Sequence, residues 1–262
     1  MTHSDFKNQL LSCFDEFRQT IATDAGDWVV KGFIDVYRNI YTISVDTKVV
    51  SKIIELMLFP VISQFAREQS YRMMLSEHQN HYPDITLIAP DETKFALDLK
   101  STYRKSSDRV SGFTLGAFTG YFRKRESAKN ITFPYSQYAG HFVLGIIYSR
   151  SDEEIDERRV YTLDDLKDIV SVVKDFRFLL QEKWQVASDR PGSGNTKNIG
   201  SVKEIQSLEE GGGPFTPFGE DVFDDYWMNY LTSDMAQAID STVPYRNLGE
   251  YWEWRNRAPS KT

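Results

Sequence analysis

The chain has 262 residues, one cysteine (Cys13) and a formal net charge of −7. That length suffices for a large domain with a sizeable core; no apolar run of about 18 residues suggests a membrane span, and a lone thiol excludes an internal disulfide and fits a cytoplasmic location. The net charge argues against nucleic acid, but base clusters at Arg104-Lys105, Arg123-Lys124-Arg125 and Arg255-Asn256-Arg257, which permits a basic cleft in an acidic exterior.

The opening Met1-Thr2-His3-Ser4-Asp5 has no basic stretch leading into an apolar one, so no signal peptide is expected. Phe6, Leu10, Phe14, Phe17 and Ile21 recur at helical spacing, which predicts a helix over 4–22, ended by Gly26. Trp28-Val29-Val30 and Phe33-Ile34-Asp35-Val36-Tyr37 predict short strands, too small a sheet to stand alone. Asp46 suits the N-cap of a second helix. Val49, Ile53, Leu56, Met57, Ile62 and Phe65 supply its apolar surface, and Pro60 is expected to end or kink it. Glu55 sits among apolar neighbours there, where a basic partner or solvent accounts for it. Tyr71-Arg72-Met73-Met74-Leu75 predicts a strand leading to a loop with His78, Gln79, Asn80 and His81. Two histidines are zinc ligands in principle, but no third or fourth soft ligand lies nearby.

Tyr82-Pro83-Asp84-Ile85-Thr86-Leu87 and Lys94-Phe95-Ala96-Leu97-Asp98-Leu99-Lys100 alternate as the arms of a β-hairpin with one buried face, turning at Pro90-Asp91-Glu92-Thr93. With Asp84 opposite Asp98, Ile85, Leu87, Phe95, Leu97 and Leu99 share one face, and Asp84, Thr86, Asp98 and Lys100 share the other. A slip of one residue would bury Asp84 among leucines. Two carboxylates and an ammonium then meet in one patch. Paired carboxylates hold a hard cation such as Mg²⁺, and a cation beside a lysine suits phosphodiester hydrolysis. An exposed strand with ordinary charges gives the same pattern.

Next come Ser101-Thr102-Tyr103-Arg104-Lys105, where the Thr102 and Tyr103 hydroxyls suit phosphate oxygens or a strand end in solvent, and the aromatic, glycine-rich Phe113-Thr114-Leu115-Gly116-Ala117-Phe118-Thr119-Gly120-Tyr121-Phe122, more suited to core burial than to base stacking. The apolar run Phe142-Val143-Leu144-Gly145-Ile146-Ile147 predicts a strand covered on both faces. A charged loop over 150–159, a short helix over 164–169 and strands at Val172-Val173 and Lys183-Trp184-Gln185-Val186-Ala187 are expected next. Pro191-Gly192-Ser193-Gly194-Asn195-Thr196-Lys197-Asn198-Ile199-Gly200-Ser201 lacks the spacing of a phosphate-binding P-loop and reads as a surface loop. Its glycines would let backbone approach base edges, Asn195 can pair with adenine, and the Thr196 methyl suits thymine. Gly211-Gly212-Gly213-Pro214 reads as a flexible joint before helices over 223–231 and 248–257, with Arg246, Arg255 and Arg257 as possible phosphate contacts.

Pro83-Asp84 and Asp98-Leu99-Lys100 match the PD…(D/E)-x-K nuclease pattern. Together with Gln79-Asn80-His81-Tyr82-Pro83-Asp84, Asp46-Thr47-Lys48-Val49, Phe113-Thr114-Leu115-Gly116 and Gly192-Ser193-Gly194-Asn195-Thr196, they resemble type II restriction endonucleases of the EcoRV type. The resemblance runs from about residue 46 into the C-terminal third and fades before about 25, around 150–160 and after about 205. It implies an α/β fold: a restriction-endonuclease-like mixed sheet flanked by helices, with a small dimerisation sheet. A single domain over 1–262 is expected, with about 25–45 and 150–170 for dimerisation and about 46–149 and 171–262 for catalysis and DNA binding. The implied protein is a homodimeric enzyme of a restriction-modification system that cuts double-stranded DNA bluntly at GATATC or a related palindrome, with Mg²⁺ that Mn²⁺ replaces. By the same resemblance Asp84, Asp98 and Glu55 hold metal and Lys100 serves the attacking water. Lys48, Thr119 and Lys129 meet the DNA backbone, Gln79 and Asn80 enter the minor groove, and Gly192, Ser193, Gly194, Asn195 and Thr196 read the major groove. His78 and Gly120 depart from the family pattern. A structure-specific repair or recombination nuclease, a catalytically inactive DNA-binding module and an interaction protein without DNA function are the alternatives.

Overall fold

Two helices occupy the stretch expected to hold one. In the computed structural model, which describes residues 1–78, 81–154, 156–192 and 196–257, α1 spans His3–Leu11 and α2 spans Phe14–Ile21. The break falls at Ser12, whose hydroxyl donates to the Gln9 carbonyl at 2.6 Å and so competes with the helical ladder. The apolar spacing survives it: Phe6, Leu10, Phe17 and Ile21 are all buried. Gly26 lies in the turn after α2, and Trp28 bridges Ala22 instead of opening a sheet strand.

β1 (Gly32–Ile34) and β2 (Ile40–Thr42) form a hairpin. α3 (Thr47–Glu68) follows, capped by the Asp46 carboxylate, which accepts from the Lys48 and Val49 amides at 2.8 and 3.2 Å. Pro60 does not end this helix. It stands on the exposed side, where water can serve the carbonyl its missing N–H leaves free, while Leu58, Val61, Ile62 and Phe65 anchor both flanks in the core. α3 is also long and apolar enough to cross a membrane, contrary to the expectation that no stretch would be; here its apolar side packs on the central sheet.

The strands that follow are β3 (Arg72–Leu75), β4 (Ile85–Ile88), β5 (Lys94–Tyr103), β6 (Thr114–Ala117), β7 (Tyr138–Arg150), β8 (Val160–Tyr161) and β9 (Val173–Glu182). The expected helix over 164–169 is a series of turns, with Leu163 and Leu166 exposed and no apolar stripe to anchor a helix. The strand expected over 183–187 is instead the single helical turn α4 (Lys183–Val186), fixed by reciprocal bonds between Glu182 and Gln185. Then come β10 (Ala187–Pro191), β11 (Asn198–Ser201), α5 (Ile205–Glu210), α6 (Glu220–Asn229), α7 (Ser233–Gln237) and α8 (Leu248–Arg257). The glycine run before Pro214 is a packed turn, not a joint. Gly213 donates to the Gln185 carbonyl at 2.8 Å, and a Cβ there would meet that oxygen at 2.5 Å.

The central sheet has the order β3-β4-β5-β7-β9, with β5 and β7 parallel and the other pairs antiparallel. It is the expected mixed sheet, and helices cover it. Two smaller sheets, β1-β2-β8 and β10-β11-β6, flank it. The hairpin register is the expected one: Ile85 pairs with Leu97 and Leu87 with Phe95. One feature differs. Both faces of β4 are buried, not one. α1, α2 and α3 cover the face of Leu87 and Phe95, and an aromatic cluster that joins residues 110–138 to the C-terminal third covers the face of Thr86 and Ala96. Thr86 tolerates this because its hydroxyl bonds the Tyr138 hydroxyl at 2.8 Å.

Phe6 carries α1 onto the sheet, its ring stacked 4.3 Å from Phe95 and 4.8 Å from Phe142. Phe6→Ala is expected to cost about 3–5 kcal/mol in urea unfolding; a loss below about 1 kcal/mol would mean that α1 is peripheral.

Candidate active site

Asp84 sits one residue before β4, where pairing with β5 ends, so its side chain reaches across to the β5 backbone. Its carboxylate accepts the Leu99 amide at 2.8 Å, and its own amide approaches the Asp98 carboxylate at 3.4 Å. Lys100, two residues beyond Asp98 and on the same face, joins both: its Nζ is 3.0 Å from Asp98 and 3.4 Å from Asp84. Asp98 is 5% exposed, so the patch is a wall and not a surface ornament. Burial, then the Asp98 charge, raise the Asp84 pKa to about 6, against the pull of Lys100 and the Leu99 amide. Burial works against the Lys100 ammonium, but Asp98 and Asp84 outweigh it and hold its pKa above the ordinary lysine range.

The wall separates two cavities. One, of about 750 Å³, is lined by Asp84, Asp98 and Lys100 with Thr119, Lys124 and Lys129. The other, of about 570 Å³, lies on the α3 side and is lined by Asp84 and Lys100 with Lys48, Glu55 and His81. The expected residues Thr119, Lys129, Lys48 and Glu55 thus all border the patch. Glu55 is paired with Lys52 at 2.6 Å, and its charge adds to the upward push on Asp84. Among the described residues no cluster of three or more His, Cys, Asp or Glu is placed to hold a metal, so Glu55 stands beside the carboxylate pair without completing a triad. His78 and His81 stack edge to face at 4.6 Å with no further soft ligand among the described residues.

Other expectations fare differently. Thr102 is buried and donates to the Gly112 carbonyl at 3.2 Å, which turns its hydroxyl away from a ligand. Tyr103 borders a shallow groove with Lys48, and Arg150 lies over its ring at 3.7 Å. Gly192 lines a cavity of about 800 Å³ with Arg109, Arg190 and Lys203, and Thr196 is half-buried. Gln79, Asn80, Ser193, Gly194 and Asn195 lie outside the described residues. Much of the expected basic cleft is spent internally: Arg104 donates to Ser149 and the Asp175 carbonyl, Arg123 to the Trp227 and Tyr230 carbonyls, Arg125 pairs with Asp224, and Arg255 with Asp225. Lys124, between two structural arginines, is the member of that run that faces the cavity. Tyr121, Asn130 and Asn198 also line the cavity; Tyr121 and Asn198 fall in stretches that the sequence singles out, without a role of their own, and Asn130 does not. Asn198 lies within the Pro191–Ser201 stretch, a signal that was there to use; Asn130 had none.

Gly116, which lines the same cavity, shows how closely β6 approaches the aromatic residues behind it. It adopts φ +84°, and a Cβ there would meet the Tyr121 hydroxyl at 2.8 Å.

A mixed sheet with one aspartate at the start of β4 and an aspartate and a lysine on the neighbouring β5, beside a cleft with further lysines, is the architecture of a restriction-type nuclease. The sequence profile for restriction endonuclease EcoRV matches residues 24–256. The type II restriction enzyme EcoRV of Escherichia coli is 37% identical over 228 residues, 86% of this chain and 90% of that enzyme. Among solved structures, the NlaIV restriction endonuclease aligns over 97% of this chain and 96% of its own, with TM-score 0.40 and 13% identity. The chain belongs to the EcoRV restriction endonuclease family and is a type II site-specific deoxyribonuclease.

Asp84 generates a pH prediction. Its folded pKa lies above the ordinary 3.8, so the ionised carboxylate costs stability above about pH 6, and that cost fades as pH falls through 6. A cation competes with the proton for the same oxygens. Ca²⁺ affinity, titrated calorimetrically without DNA, is expected to weaken as pH is lowered through about 6. Asp84→Asn is expected to raise the neutral-pH Tm while abolishing most of the binding heat. A flat affinity between about pH 7 and 5 would remove Asp84 from the cation site.

Proposed function

We propose that this nuclease works as a homodimer, requires Mg²⁺, and cuts both strands at the centre of a short palindrome, GATATC or a closely related sequence, leaving blunt ends with 5′-phosphates and 3′-hydroxyls. Mn²⁺ is expected to replace Mg²⁺. The observation that carries this is the Asp84–Asp98–Lys100 wall between two open cavities. The donor set fits a hard divalent cation: two carboxylates, of which Asp84 is raised by burial and then by the Asp98 charge, with no thiolate beside them among the described residues to favour a softer ion. When bound, the cation supplies positive charge opposite the developing phosphoryl charge and polarises water.

The chain's own residues do the rest. Asp84 and Asp98 hold the cation. Lys100 is kept charged by its two carboxylates, so it donates hydrogen bonds and orients the attacking water in place of taking a proton from it. Glu55 acts from the α3 side as an auxiliary acid. Lys48, Thr119 and Lys129 grip phosphates, with Tyr103 and the Thr102 neighbourhood beside them. Gln79 and Asn80 track the minor groove, and the stretch from Gly192 through Ser193, Gly194 and Asn195 to Thr196 reads base edges in the major groove.

The small sheet supports the homodimer. Phe33 and Ile34 on β1, Tyr41 on β2 and Val160 on β8 are exposed, and Val36 and Tyr37 in the β1–β2 turn are 90% and 82% exposed. An apolar patch of this kind on a structured element calls for a cover, and a second copy related by a twofold axis matches a palindromic target. In this reading about 25–45 and 150–170 form the dimerisation subdomain, and the remainder binds and cuts DNA.

Digestion of a sequenced plasmid with Mg²⁺, followed by sequencing of the ends, tests the function. Blunt ends at one six-base palindrome are expected, with activity lost by at least about a thousandfold in Asp98→Ala. Cuts scattered without a shared sequence would point to a repair nuclease instead. Val36→Asp combined with Tyr37→Asp is expected to shift the sedimentation coefficient from dimer to monomer and to reduce double-strand cutting. An unchanged coefficient would move the interface elsewhere.

A further inference from the structure

Lys183 is a buried cation with no evident employment. It is 2% exposed, and among the described residues its Nζ has no hydrogen-bond partner. Rings surround it: the ammonium lies 4.9 Å from the Tyr82 centroid, 5.5 Å from Phe122 and 5.6 Å from Tyr135. Cation–π contact offsets only part of the desolvation of an ammonium, so for stability alone a neutral side chain of the same length would serve better. The charge is felt beyond the rings. Burial first, then Lys183, hold the pKa of His141 well below the usual histidine range. Burial lowers the pKa of Lys183 to about 8, against the opposing pull of Asp98 and Asp224.

Its place in the chain is informative. Lys183 opens α4, which leads without a break into β10, and β10 pairs with β11 around the 192–196 stretch. The ring nearest its ammonium belongs to Tyr82, two residues before Asp84. Tyr82 is itself fixed by a 2.9 Å bond between its hydroxyl and His141 and by stacking on Tyr121 at 5.2 Å. The Gly116 backbone of β6 closes over the same spot: a Cβ there would lie 3.8 Å from both the Lys183 ammonium and the Tyr82 ring. β6 also pairs with β11. One buried ammonium therefore touches the turn that aims Asp84 and begins the segment that carries β10.

We propose that Lys183 is a positioning residue that couples the β10–β11 strands to the Tyr82–Asp84 turn, so that seating of DNA on those strands sets the placement of Asp84. This deepens the proposed function and rests on its reading of Asp84 as catalytic and of the β10–β11 end as the base-reading side. A contiguous packed path of this kind carries coupling when both ends bias the same element. Its expected signature is a loss of discrimination with no loss of fold.

The test uses the full-length protein, Lys183→Met and Lys183→Arg, with a short duplex centred on GATATC and single-base variants of it. Lys183→Met is expected to keep or raise the Tm and to bind the duplex in Ca²⁺ as the wild type does. Its single-turnover cleavage of the cognate duplex should fall so that the cognate-to-variant ratio drops by about tenfold or more. Lys183→Arg, which keeps a cation over the rings, should restore the ratio. Hydrogen exchange supplies a readout independent of cleavage. In Ca²⁺ the duplex should protect the amides of both β11 and Asp84-Ile85 in the wild type, but only those of β11 in Lys183→Met. If the wild type cuts without sequence preference, the proposed function fails, and exchange at Asp84-Ile85 still decides the coupling. A folded Lys183→Met with wild-type ratio and wild-type protection overturns the proposal. Should Lys183→Met fail to fold, a folded Lys183→Arg with a collapsed ratio overturns it as well.

Discussion

The site depends on one constraint, the register of β4 against β5. Ile85 opposite Leu97 and Leu87 opposite Phe95 bury apolar side chains that would face the other way after a slip of one residue. The same register leaves Asp84 at the end of β4 with its carboxylate on the Leu99 amide and its amide toward Asp98. Two like charges so close are unfavourable, and Lys100 offsets only part of the repulsion. The core holds together a polar constellation that its own charges would push apart.

The hairpin, its register and the shared face of Asp84, Asp98 and Lys100 were legible in the sequence because strand periodicity of two leaves few alternatives. The Asp46 cap and α6 and α8 were legible for similar local reasons. Long-range partners were not. Nothing in the spacing of Arg123 and Arg125 says that they would hold carbonyls and a carboxylate of the C-terminal third while Lys124 faced the cleft. The break at Ser12 turns on one hydroxyl bond, and the passage of α3 through Pro60 depends on which side of the helix faces solvent. Lys183 was read as part of a strand, since its neighbours Trp184 and Val186 favour extended chain. The bond pair between Glu182 and Gln185 made it the start of a helical turn instead.

The second face of the sheet deserves comparison with the first. α1, α2 and α3 bury one side with aliphatic and phenylalanine packing. The other side is filled with tyrosine, tryptophan and a stacked histidine; Tyr82 bonds His141 and Tyr138 bonds Thr86, while among the described residues the Tyr135 hydroxyl and the Trp227 indole N–H have no partner. An aromatic wall behind a charged patch lowers the local dielectric and strengthens the fields of Asp98 and Lys100. Packing and electrostatics are therefore set by the same residues.

The internal use of Arg104, Arg123 and Arg125 bears on how the protein meets a polyanion. Each guanidinium tied to the protein's own carbonyls or carboxylates is one that displaces no condensed counterion from a duplex. With a net charge of −7 and a handful of lysines at the cleft, charge alone supplies less long-range attraction to a duplex than the surface of a basic protein would. Affinity then comes from short-range fit once the duplex is seated. The chain's cations are thus divided between holding its own C-terminal third together and facing the cleft.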